Sequence, residues 1–367
     1  MKKILIVSGS LKTGGLEKVA VNCMKYANRY RLQFYFLVFD TSIGEYEHMV
    51  TTLGGKIIRI TCSSNPIKYY LTIKNVIKEY GPFDIVHSHV FFNSAIVLLA
   101  AKKCGVRQRI AHSHSIQRAD TSWIKKLIYK VMRIMLNVTA TQKCACSTQA
   151  GIYLFGPSFL RNGMIIPNII DADKFVFNEN ERLRIRCALK ILPNEIVLGQ
   201  VGHLAKAKNQ LFLLDLFHDL LGDIDAKLVI VGDGTMRDTL KMKILEYNMA
   251  DKVILTGNRD DVPALLSAMD LYLCTSTNEG FGIVILEALA NGLRCVAECN
   301  AIVDEVKSLG NMILVDGFKN KKNWKQEILK ALQLQYNRME GNALIKNSNY
   351  TKEHLIAVLQ TLYSKPC

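Results

Sequence analysis

Residues 270–292 carry the most informative stretch of this chain, D-L-Y-L-C-T-S-T-N-E-G-F-G-I-V-I-L-E-A-L-A-N-G. The apolar run at 271–274 predicts a short buried strand. Small and turn-forming residues at 275–282 predict a loop. The apolar residues 283–290, with Gly292 placed to stop them, predict a helix. The stretch is therefore expected to form a strand, a loop and a helix in succession.

Two glutamates bracket the start of this helix: Glu279 precedes it and Glu287 lies within it. Gly280 and Gly282 leave bare backbone N–H groups at the helix start, where the helix dipole also favours an anion. The helix is apolar on nearly all sides, so Glu287 is expected to be buried and to need a partner, which ribose hydroxyls would supply. Without a ligand, Glu279 would stabilise the helix dipole and Glu287 would hydrogen-bond within the fold. The residues alone leave both interpretations open.

The segment E-G-F-G-I-V-I-L-E resembles the donor-site signature of the retaining glycosyltransferases of family 4, two glutamates eight residues apart with Gly-aromatic-Gly after the first. The resemblance implies the GT-B fold, an α/β architecture in which two Rossmann-like domains face each other across a cleft. It implies that Glu279 contacts the donor sugar and acts in catalysis. It also implies that the backbone of Gly280, Phe281 and Gly282 holds the diphosphate, and that Glu287 binds the ribose.

The resemblance extends along most of the chain, because further segments match the family in the same order and spacing. The opening M-K-K-I-L-I-V-S-G-S-L-K-T-G-G-L-E-K-V-A resembles the family's first strand and its Gly-Gly-x-Glu loop. The segment 145–156, A-C-S-T-Q-A-G-I-Y-L-F-G, is similar to the branch that makes capsules and exopolysaccharides. Other matching segments lie at 84–89, 109–115, 166–175, 201–210 and 228–237.

The segment V-G-H-L-A-K-A-K-N-Q at 201–210 resembles the family's diphosphate-binding loop. The resemblance gives Lys208 a catalytic role beside the donor diphosphate. His203 stands where the family usually has arginine, and a neutral imidazole cannot make bidentate phosphate contacts. Lys206 could compensate. Arg259 follows a predicted strand and is expected to approach the nucleotide base, although lone basic residues of this kind are more often solvated surface charges.

The first loop of the chain supplies candidates for binding the donor and the acceptor. Gly14 and Gly15 would let the backbone approach a ligand closely, Gly14 on the acceptor side and Gly15 on the donor side. Glu17 resembles the acidic residue of the family's loop on the acceptor side; otherwise it is a first-turn carboxylate on a helix dipole. His114 resembles the family's histidine near the transferred sugar and is expected to act in catalysis. Three other histidines compete for this role, His87, His89 and His112.

Short strands alternate with helices along the chain, which predicts a parallel α/β sheet with helices on both faces in each of two domains. The first domain is expected to span 1–168, and a helix at about 351–367 is expected to cross back to it. The second is expected to span 169–350. Predicted strands lie at 4–8, 33–39, 56–60, 85–87, 109–112 and 143–145, and then at 197–202, 227–231, 253–256, 271–274 and 295–297.

Composition agrees with a two-domain enzyme of the cytoplasm. A chain of 367 residues with 49% hydrophobic residues is long and apolar enough to fill two cores. Its ten cysteines include no CxxC pair, and several lie in apolar runs, as expected for buried thiols in a reducing compartment. No signal peptide and no stretch near 20 apolar residues is found.

The net charge of +15 raises the question of an anionic partner. No nucleic-acid module is found, so nucleic acid is not expected. Residues 123–138 predict an amphipathic helix with the stripe Ile124, Leu127, Ile128, Val131, Ile134, Met135 and Val138. Lys125, Lys126, Lys130 and Arg133 fall on the other side of the helix, Trp123 stands at its start, and no acidic residue accompanies them. The stripe by itself is typical of a helix packed in the core, whereas the cations favour peripheral binding to the anionic inner face of the cell membrane.

The resemblance implies a retaining transferase that moves a hexose from a nucleotide diphosphate sugar, with uridine as the expected base, to a lipid-linked polysaccharide precursor. No Asp-x-Asp pair occupies a donor position, so no metal and no other cofactor are expected. A nucleotide-sugar epimerase of the same fold and a non-catalytic nucleotide-sugar-binding protein remain alternatives, because fold does not fix function. A dinucleotide dehydrogenase is disfavoured, since G-x-G-x-x-G is missing from the first strand turn.

Overall fold

The chain forms two compact units, Met1–Asn168 together with Lys352–Cys367, and Ile169–Thr351. A computed structural model describes residues 1–12, 15–27, 31–61, 63–114, 122–277, 279, 281–334 and 337–364. Each unit is built on one sheet of parallel strands with helices in the connections. The predicted α/β fold class is therefore confirmed.

The first unit contains a seven-stranded sheet. Its strands are β1 (Lys2–Val7), β2 (Leu32–Val38), β3 (Lys56–Arg59), β4 (Ile85–Ser88), β5 (Gln108–Ser113), β6 (Gln142–Ala145) and β7 (Gly163–Ile165). They lie in the order β3-β2-β1-β4-β5-β6-β7, and all neighbouring pairs are parallel. The central strand β1 buries Ile4, Leu5, Ile6 and Val7 completely. Such continuous apolar runs are typical of strands that are covered on both faces.

Among the described residues, seven α-helices connect these strands. They are α1 (Gly15–Lys25), α2 (Glu47–Thr52), α3 (Pro66–Tyr80), α4 (Ser94–Lys103), α5 (Trp123–Thr139), α6 (Thr148–Phe155) and α7 (Phe159–Asn162). Helix α3 shows how local chemistry sets a boundary. The Asn65 side chain accepts hydrogen bonds from the backbone N–H groups of Ile67 and Lys68, and Pro66 occupies the first helical position, where no N–H is needed.

The second unit contains a six-stranded sheet. Its strands are β8 (Ile196–Val201), β9 (Ala226–Val231), β10 (Val253–Gly257), β11 (Leu271–Cys274), β12 (Arg294–Glu298) and β13 (Met312–Val315). Their order is β10-β9-β8-β11-β12-β13, again with parallel neighbours. Both sheets thus begin at a central strand, extend in one direction, and then return to extend in the other, which is the doubly wound arrangement.

The described part of the second unit contains eight α-helices. They are α8 (Glu179–Ala188), α9 (Gln210–Leu220), α10 (Arg237–Glu246), α11 (Val262–Ala268), α12 (Ile283–Ala290), α13 (Asp304–Lys307), α14 (Lys321–Gln333) and α15 (Arg338–Lys346). Helices α9 and α14 pack on the sheet through Leu213, Phe217 and the fully buried Trp324. The Trp324 indole N–H donates to the carbonyl of Gly317 at 2.8 Å, so its one polar group is satisfied in the core.

The last helix, α16 (Lys352–Ser364), packs on the first unit. It buries Leu355, Leu359, Leu362 and Tyr363. Gln108 of β5 donates to the carbonyl of Leu362 at 2.7 Å, which fixes the helix to the sheet. Among the described residues, no helix combines the length and the apolar character needed to cross a bilayer.

Candidate active site

The second unit brings its candidate donor residues together at the switch point of its sheet. Strands β8 and β11 are neighbours, and the chain extends to opposite sides of the sheet from them. In open α/β sheets, ligands bind at the carboxyl ends of the strands at such a point. Lys208 lies in the loop after β8 and Glu279 in the loop after β11, so the fold joins two residues that are 71 positions apart in sequence.

Lys208 and Glu279 form an ion pair at this point. The Lys208 ammonium donates to both carboxylate oxygens of Glu279, at 2.7 and 2.8 Å. Ser276 Oγ donates to Glu279 Oε1 at 2.5 Å. The Lys208 and Glu279 side chains are only 23% and 12% exposed, so water screens the pair weakly. The carboxylate is therefore held in one orientation by three hydrogen bonds.

Further hydrogen bonds fasten the two loops to each other. The Thr277 backbone N–H donates to the carbonyl of Ala207 at 2.8 Å. Thr275 Oγ1 lies 3.2 Å from the carbonyl of Lys208 and 3.3 Å from that of Asn209. Because Lys208 is attached to this framework at its backbone, its side chain extends from a fixed base toward Glu279.

The cysteine beside this pair does not supply a thiolate. Cys274 Sγ lies 3.9 Å from Glu279 Oε1. Burial, followed by the nearby carboxylate, raises the pKa of Cys274 to about 12. The thiol is therefore neutral near pH 7, and the thiolate, which is the nucleophilic form, is not available there.

Glycines allow the loop after β8 to pack closely against the turn that follows β9. Gly202 has a φ of 152°, and a Cβ placed on Gly232 would lie 2.2 Å from the Gly202 carbonyl oxygen. Gly234 packs against the ring of His203, which is exposed at the end of β8. Lys206 is also exposed, in the same 3-10 turn as Lys208. Of the two lysines in this turn, the structure brings Lys208 to Glu279.

Helix α12 begins as the sequence predicts. Gly282 adopts the left-handed conformation, with φ 77° and ψ 45°, directly before the helix. Phe281 is buried, and its ring meets that of Tyr350 edge-on at 5.5 Å. Glu287 is half-buried rather than buried. Gly280 lies outside the described residues.

Two arginines lie near the carboxyl ends of β9 and β10. Arg259 makes a bidentate pair with Asp261, with distances of 2.7 and 2.6 Å, so in this structure its guanidinium is occupied by a protein carboxylate. Arg237, which the sequence did not single out, directs its buried Nη1 against Gly257, 3.4 Å from Asp233 Oδ2. Its only sequence signal is its position after the glycine-rich turn G-D-G-T-M, which follows β9.

Candidates in the first unit lie at the switch point of its own sheet, where β1 and β4 are neighbours. Gly15 is the first residue of α1. Glu17, in the first turn of that helix, accepts a hydrogen bond from Ser10 Oγ at 2.9 Å. This bond gives Glu17 a partner within its own loop. Gly14 lies outside the described residues.

His114 belongs to a stacked cluster of four histidines. His87 lies on β4 and His89 follows it, while His112 lies on β5 and His114 follows that strand. The rings of His112 and His114 are 4.1 Å apart, and those of His87 and His89 are 4.2 Å apart. Nδ1 of His89 lies 2.8 Å from Nε2 of His114, and Nδ1 of His87 lies 2.9 Å from the Tyr363 hydroxyl.

Burial keeps these imidazoles neutral. It lowers the pKa of His87 and of His114 to about 3, and it holds the pKa of His89 and of His112 well below the ordinary range. Neutral imidazoles can accept hydrogen bonds from sugar hydroxyls or bind a metal. Two groups in the described part of the chain have donor atoms close enough for a metal, namely Cys23–His87–His89 and His89–His112–His114.

Helix α5 exposes its apolar stripe. Tyr129 stacks on Phe92 at 4.2 Å, and Leu136 and Thr139 are buried. The opposite side carries seven large apolar side chains that are 47% to 75% exposed, namely Trp123, Ile124, Leu127, Ile128, Val131, Ile134 and Val138. The stripe therefore does not pack in the core of the first unit, which was the alternative left open by the sequence.

The basic residues of α5 differ in their surroundings. Lys125, Lys126 and Lys130 are exposed. Arg133 is half-buried, and its guanidinium donates to the carbonyls of Tyr153 and Leu154 at 2.7 and 3.3 Å. Arg133 thus holds α5 against the rest of the first unit, and the exposed positive charge of the helix lies on the three lysines.

Comparison with known proteins identifies relatives over both units. The family profile described as "Glycosyl transferases group 1" matches residues 181–349. EpsF of Bacillus subtilis (strain 168), named as a glycosyltransferase, is 30% identical over 301 residues, covering 80% of this chain and 78% of the relative. A UDP-Gal:alpha-D-GlcNAc-diphosphoundecaprenol alpha-1,3-galactosyltransferase of Escherichia coli is 29% identical over 255 residues, covering 67% of this chain and 64% of the relative.

The fold is similar to that of Anabaena Alr3699/HepE. The crystal structure of that protein with UDP has a TM-score of 0.82 and 20% sequence identity, covering 99% of this chain and 100% of the other. The structure with UDP-glucose has a TM-score of 0.80 at the same identity, covering 100% of both chains.

Proposed function

We propose, since the chain belongs to the group 1 glycosyl transferases, that it transfers a hexose from a UDP-sugar to a lipid-linked precursor of a capsule, exopolysaccharide or lipopolysaccharide, with retention of the anomeric configuration. The observation that carries the proposal is the ion pair of Lys208 and Glu279 at the switch point of the second sheet. The Lys208 ammonium suits the diphosphate of a nucleotide sugar, and the Glu279 carboxylate suits the hydroxyl groups of its sugar.

Lys208 suits the diphosphate. An ammonium group has three N–H donors, and two of them face the oxygens of Glu279. The third can donate to a phosphate oxygen while the pair with Glu279 persists. Glu279 would then accept a hydrogen bond from a sugar hydroxyl beside that phosphate. The pair thereby links the orientation of the sugar to the position of its leaving group.

The proposed reaction exchanges one bond at the anomeric carbon for another. The bond from this carbon to the β-phosphate oxygen breaks, and an acceptor hydroxyl oxygen forms its bond on the same face. The acceptor proton passes to the departing phosphate oxygen, and UDP leaves. Lys208, the backbone N–H groups around Phe281 and Gly282, and the positive end of α12 would stabilise the negative charge that develops on the phosphate.

The proposed donor and acceptor follow from the relatives. HepE has been solved with UDP and with UDP-glucose, which supports a uridine nucleotide. The Escherichia coli relative is named for transfer from UDP-galactose to a sugar carried on diphosphoundecaprenol, which supports a lipid-linked acceptor. Glu287, one turn into α12, is proposed to bind the ribose, and Arg259 to approach the base after releasing Asp261.

Two features of the first unit complete the proposal. His114 would hydrogen-bond the transferred sugar, with Gly14, Gly15 and Glu17 near the bound substrates. Helix α5 would rest on an anionic membrane surface, because it exposes an apolar stripe with lysines beside it and no acidic residue. An enzyme bound peripherally to the inner face of the membrane would then lie at the same membrane surface as a lipid-linked acceptor.

No divalent metal is required in this proposal. Lys208 supplies the positive charge that a metal would otherwise bring to the diphosphate. The enzyme would therefore stabilise its leaving group with groups of its own chain.

The decisive experiment is a screen of nucleotide sugars by thermal shift, followed by turnover with lipid-linked acceptors. We expect a UDP-hexose to raise the melting temperature and to be consumed only when an acceptor is present. The variant Glu279→Gln serves as the control for contaminating activity and should be inactive. Conversion of the nucleotide sugar without acceptor would instead identify an epimerase, and binding without any conversion would identify a non-catalytic binding protein.

A further inference from the structure

A cluster of arginines lies in the second unit, at the edge of the sheet opposite the proposed donor site. Asp270 directly precedes β11 and Arg294 is the first residue of β12, so both lie at the amino ends of neighbouring strands. The proposed donor site uses the loops after β8 and β11, which lie at the carboxyl ends. A cavity of about 200 Å³ at the amino edge is lined by Asp270, Arg294, Arg182 of α8 and Arg338 of α15.

The aspartate of this cavity is already neutralised by the protein. Among the described residues that line the cavity, Asp270 is the only acidic one. Its Oδ1 accepts a hydrogen bond from Arg182 Nη2 at 2.6 Å, and its Oδ2 accepts from Arg186 Nη2 and from the Val197 backbone N–H, both at 2.7 Å. Glu179, at the start of α8, is a second carboxylate whose charge reaches the cluster. With Arg186 counted, four guanidinium groups therefore stand against two carboxylates.

Arg338 is embedded in this cluster with one N–H group unused. Its Nη1 and Nη2 donate to three backbone carbonyls at the end of α11 and to the side-chain oxygen of Asn291, and its guanidinium stacks over the ring of Phe177 at 4.2 Å. Its Nε is buried and makes no hydrogen bond within the described part of the chain. Burial, followed by the charge of Arg182, lowers the pKa of Arg338 to about 9, so the side chain stays charged at pH 7. A buried, charged donor without a partner is costly, which points to a ligand that accepts a hydrogen bond.

The chemistry of the cavity selects a small anion that has several acceptor oxygens. Planar guanidinium groups match the geometry of phosphate and bind it through paired hydrogen bonds. The excess of positive charge disfavours a metal cation. The volume of about 200 Å³ is below the roughly 300–1,000 Å³ that is typical of pockets for drug-sized ligands, so a whole nucleotide sugar is not expected there.

We propose that this cavity binds one phosphate group between Arg182, Arg294 and Arg338, as inorganic phosphate or as the phosphate of a small monoester. The alternative is that these arginines only cap helix ends. Arg182 and Arg338 donate to carbonyls at the end of α11, and Arg294 donates to the carbonyls of Ala331 and Leu334 near the end of α14. Those bonds use the terminal nitrogens alone, and they leave the buried Nε of Arg338 unexplained.

This proposal goes beyond the proposed function, because no step of the sugar transfer uses this edge of the sheet. Phosphate could also enter the proposed donor site beside Lys208. The test therefore uses the variant Lys208→Ala as its background, in which that competing site is disabled. A second arm uses the wild type saturated with UDP. The first arm remains informative even if the protein does not bind UDP.

The experiment is equilibrium dialysis of the full chain against radiolabelled inorganic phosphate at constant ionic strength. In the Lys208→Ala background we expect saturable binding of one phosphate per chain. Adding Arg294→Gln should weaken binding at least about 10-fold, because a hydrogen bond to a charged group contributes a factor of that order or more. Leu334→Glu, which places a carboxylate at the exposed rim of the cavity, should abolish binding. The matched controls are Arg184→Gln on α8 and Leu245→Glu on α10, which make the same changes at exposed positions and should bind phosphate undiminished.

Glycerol 3-phosphate distinguishes the two sources of the phosphate group. If it displaces the label at lower concentration than unlabelled phosphate does, the natural ligand is a monoester. If it displaces the label less well, the ligand is the free ion.

Three outcomes overturn the proposal. These are the absence of saturable binding in the Lys208→Ala background, unchanged affinity in both Arg294→Gln and Leu334→Glu, and equal losses in the control variants. Phosphate that binds the wild type, is displaced by UDP and does not bind Lys208→Ala belongs to the donor site instead. Circular dichroism checks the fold of each variant, and if Arg294→Gln does not fold, Leu334→Glu decides the matter, since it removes no side-chain hydrogen bond.

Discussion

Lys208 and Glu279 lie on loops that follow two neighbouring strands, and the ammonium of the first contacts both oxygens of the second at 2.7 and 2.8 Å. Each side chain therefore controls the charge that the other presents to a ligand. Removing either one changes the electrostatics of the site as well as one contact, and this makes the pair the first target for mutation.

Lys208→Ala should lower kcat/KM for transfer by about 100- to 1000-fold, the usual effect of removing one group that stabilises developing negative charge. Steady-state kinetics with the preferred UDP-sugar measures the loss. Lys241→Ala is the control, since Lys241 is an exposed lysine of the second unit, on α10. A Lys208 variant that keeps most of its activity would remove this residue from the proposed mechanism.

Glu287→Ala should weaken binding of the nucleotide. The ribose hydroxyls would lose an acceptor in a half-buried site, a loss of roughly 2 kcal/mol or about 30-fold in Kd. Calorimetric titration with UDP measures the change. Glu340→Ala, at an exposed glutamate on α15, should leave the Kd unaltered. Equal affinities for the wild type and a folded Glu287 variant would contradict the ribose assignment.

Treatment with EDTA should leave the rate of transfer undiminished. The proposed leaving group is stabilised by Lys208 and by backbone N–H groups, none of which a chelator removes. Initial rates before and after metal removal, with the residual metal content measured, provide the test. A rate that collapses on chelation and returns with Mg²⁺ or Mn²⁺ would show that the donor site needs an ion.

The product should keep the anomeric configuration of the donor sugar. Attack of the acceptor on the same face as the departing phosphate preserves that configuration. Proton NMR of the first glycoside product, through the coupling constant of its anomeric proton, reports the outcome directly. An inverted linkage is incompatible with the proposed reaction.

The protein should sediment with liposomes that contain anionic lipid, more strongly at low salt than at high salt. Each lysine near such a surface contributes about 1 kcal/mol, so Lys125, Lys126 and Lys130 can hold the protein reversibly. Reversal of these three charges to glutamate should abolish sedimentation while UDP affinity stays the same.

The control for this experiment reverses three exposed lysines of the second unit, Lys241, Lys319 and Lys322, which changes the net charge equally. Binding that is lost in both triple variants would indicate a general effect of charge. Binding that survives reversal on α5 would show that this helix is not the membrane surface.

Much of the secondary structure follows from local pattern. The strand Leu271–Cys274 and the helix Ile283–Ala290 have the predicted bounds, because Gly282 and Gly292 both adopt positive φ where the chain must turn. The edge strands β7 and β13 were not predicted. Strand β7 contains only three residues and begins with Gly163, a residue depleted in strands, so no periodic pattern distinguishes it from a loop.

The arrangement of the site was less accessible to sequence reasoning. The resemblance implicated both Lys208 and Glu279, but their contact arises from the adjacency of β8 and β11, which no local pattern encodes. The sequence does not single out Ser276 or Arg237, because an isolated serine or arginine in a loop has no distinctive spacing. The amphipathic pattern of α5 defines two faces but does not specify which one packs against the protein. The structure shows that the face with Tyr129 does so, because Tyr129 stacks on Phe92.

The helix α16 makes the first unit discontinuous in the chain. A ribosome completes the whole of Ile169–Thr351 before it synthesises Tyr363, whose hydroxyl meets His87 in the heart of the earlier unit. During synthesis the second unit can therefore finish folding while the first, although begun sooner, still lacks the side chain that hydrogen-bonds to His87. The first unit is therefore the first to be started and the last to be completed during synthesis.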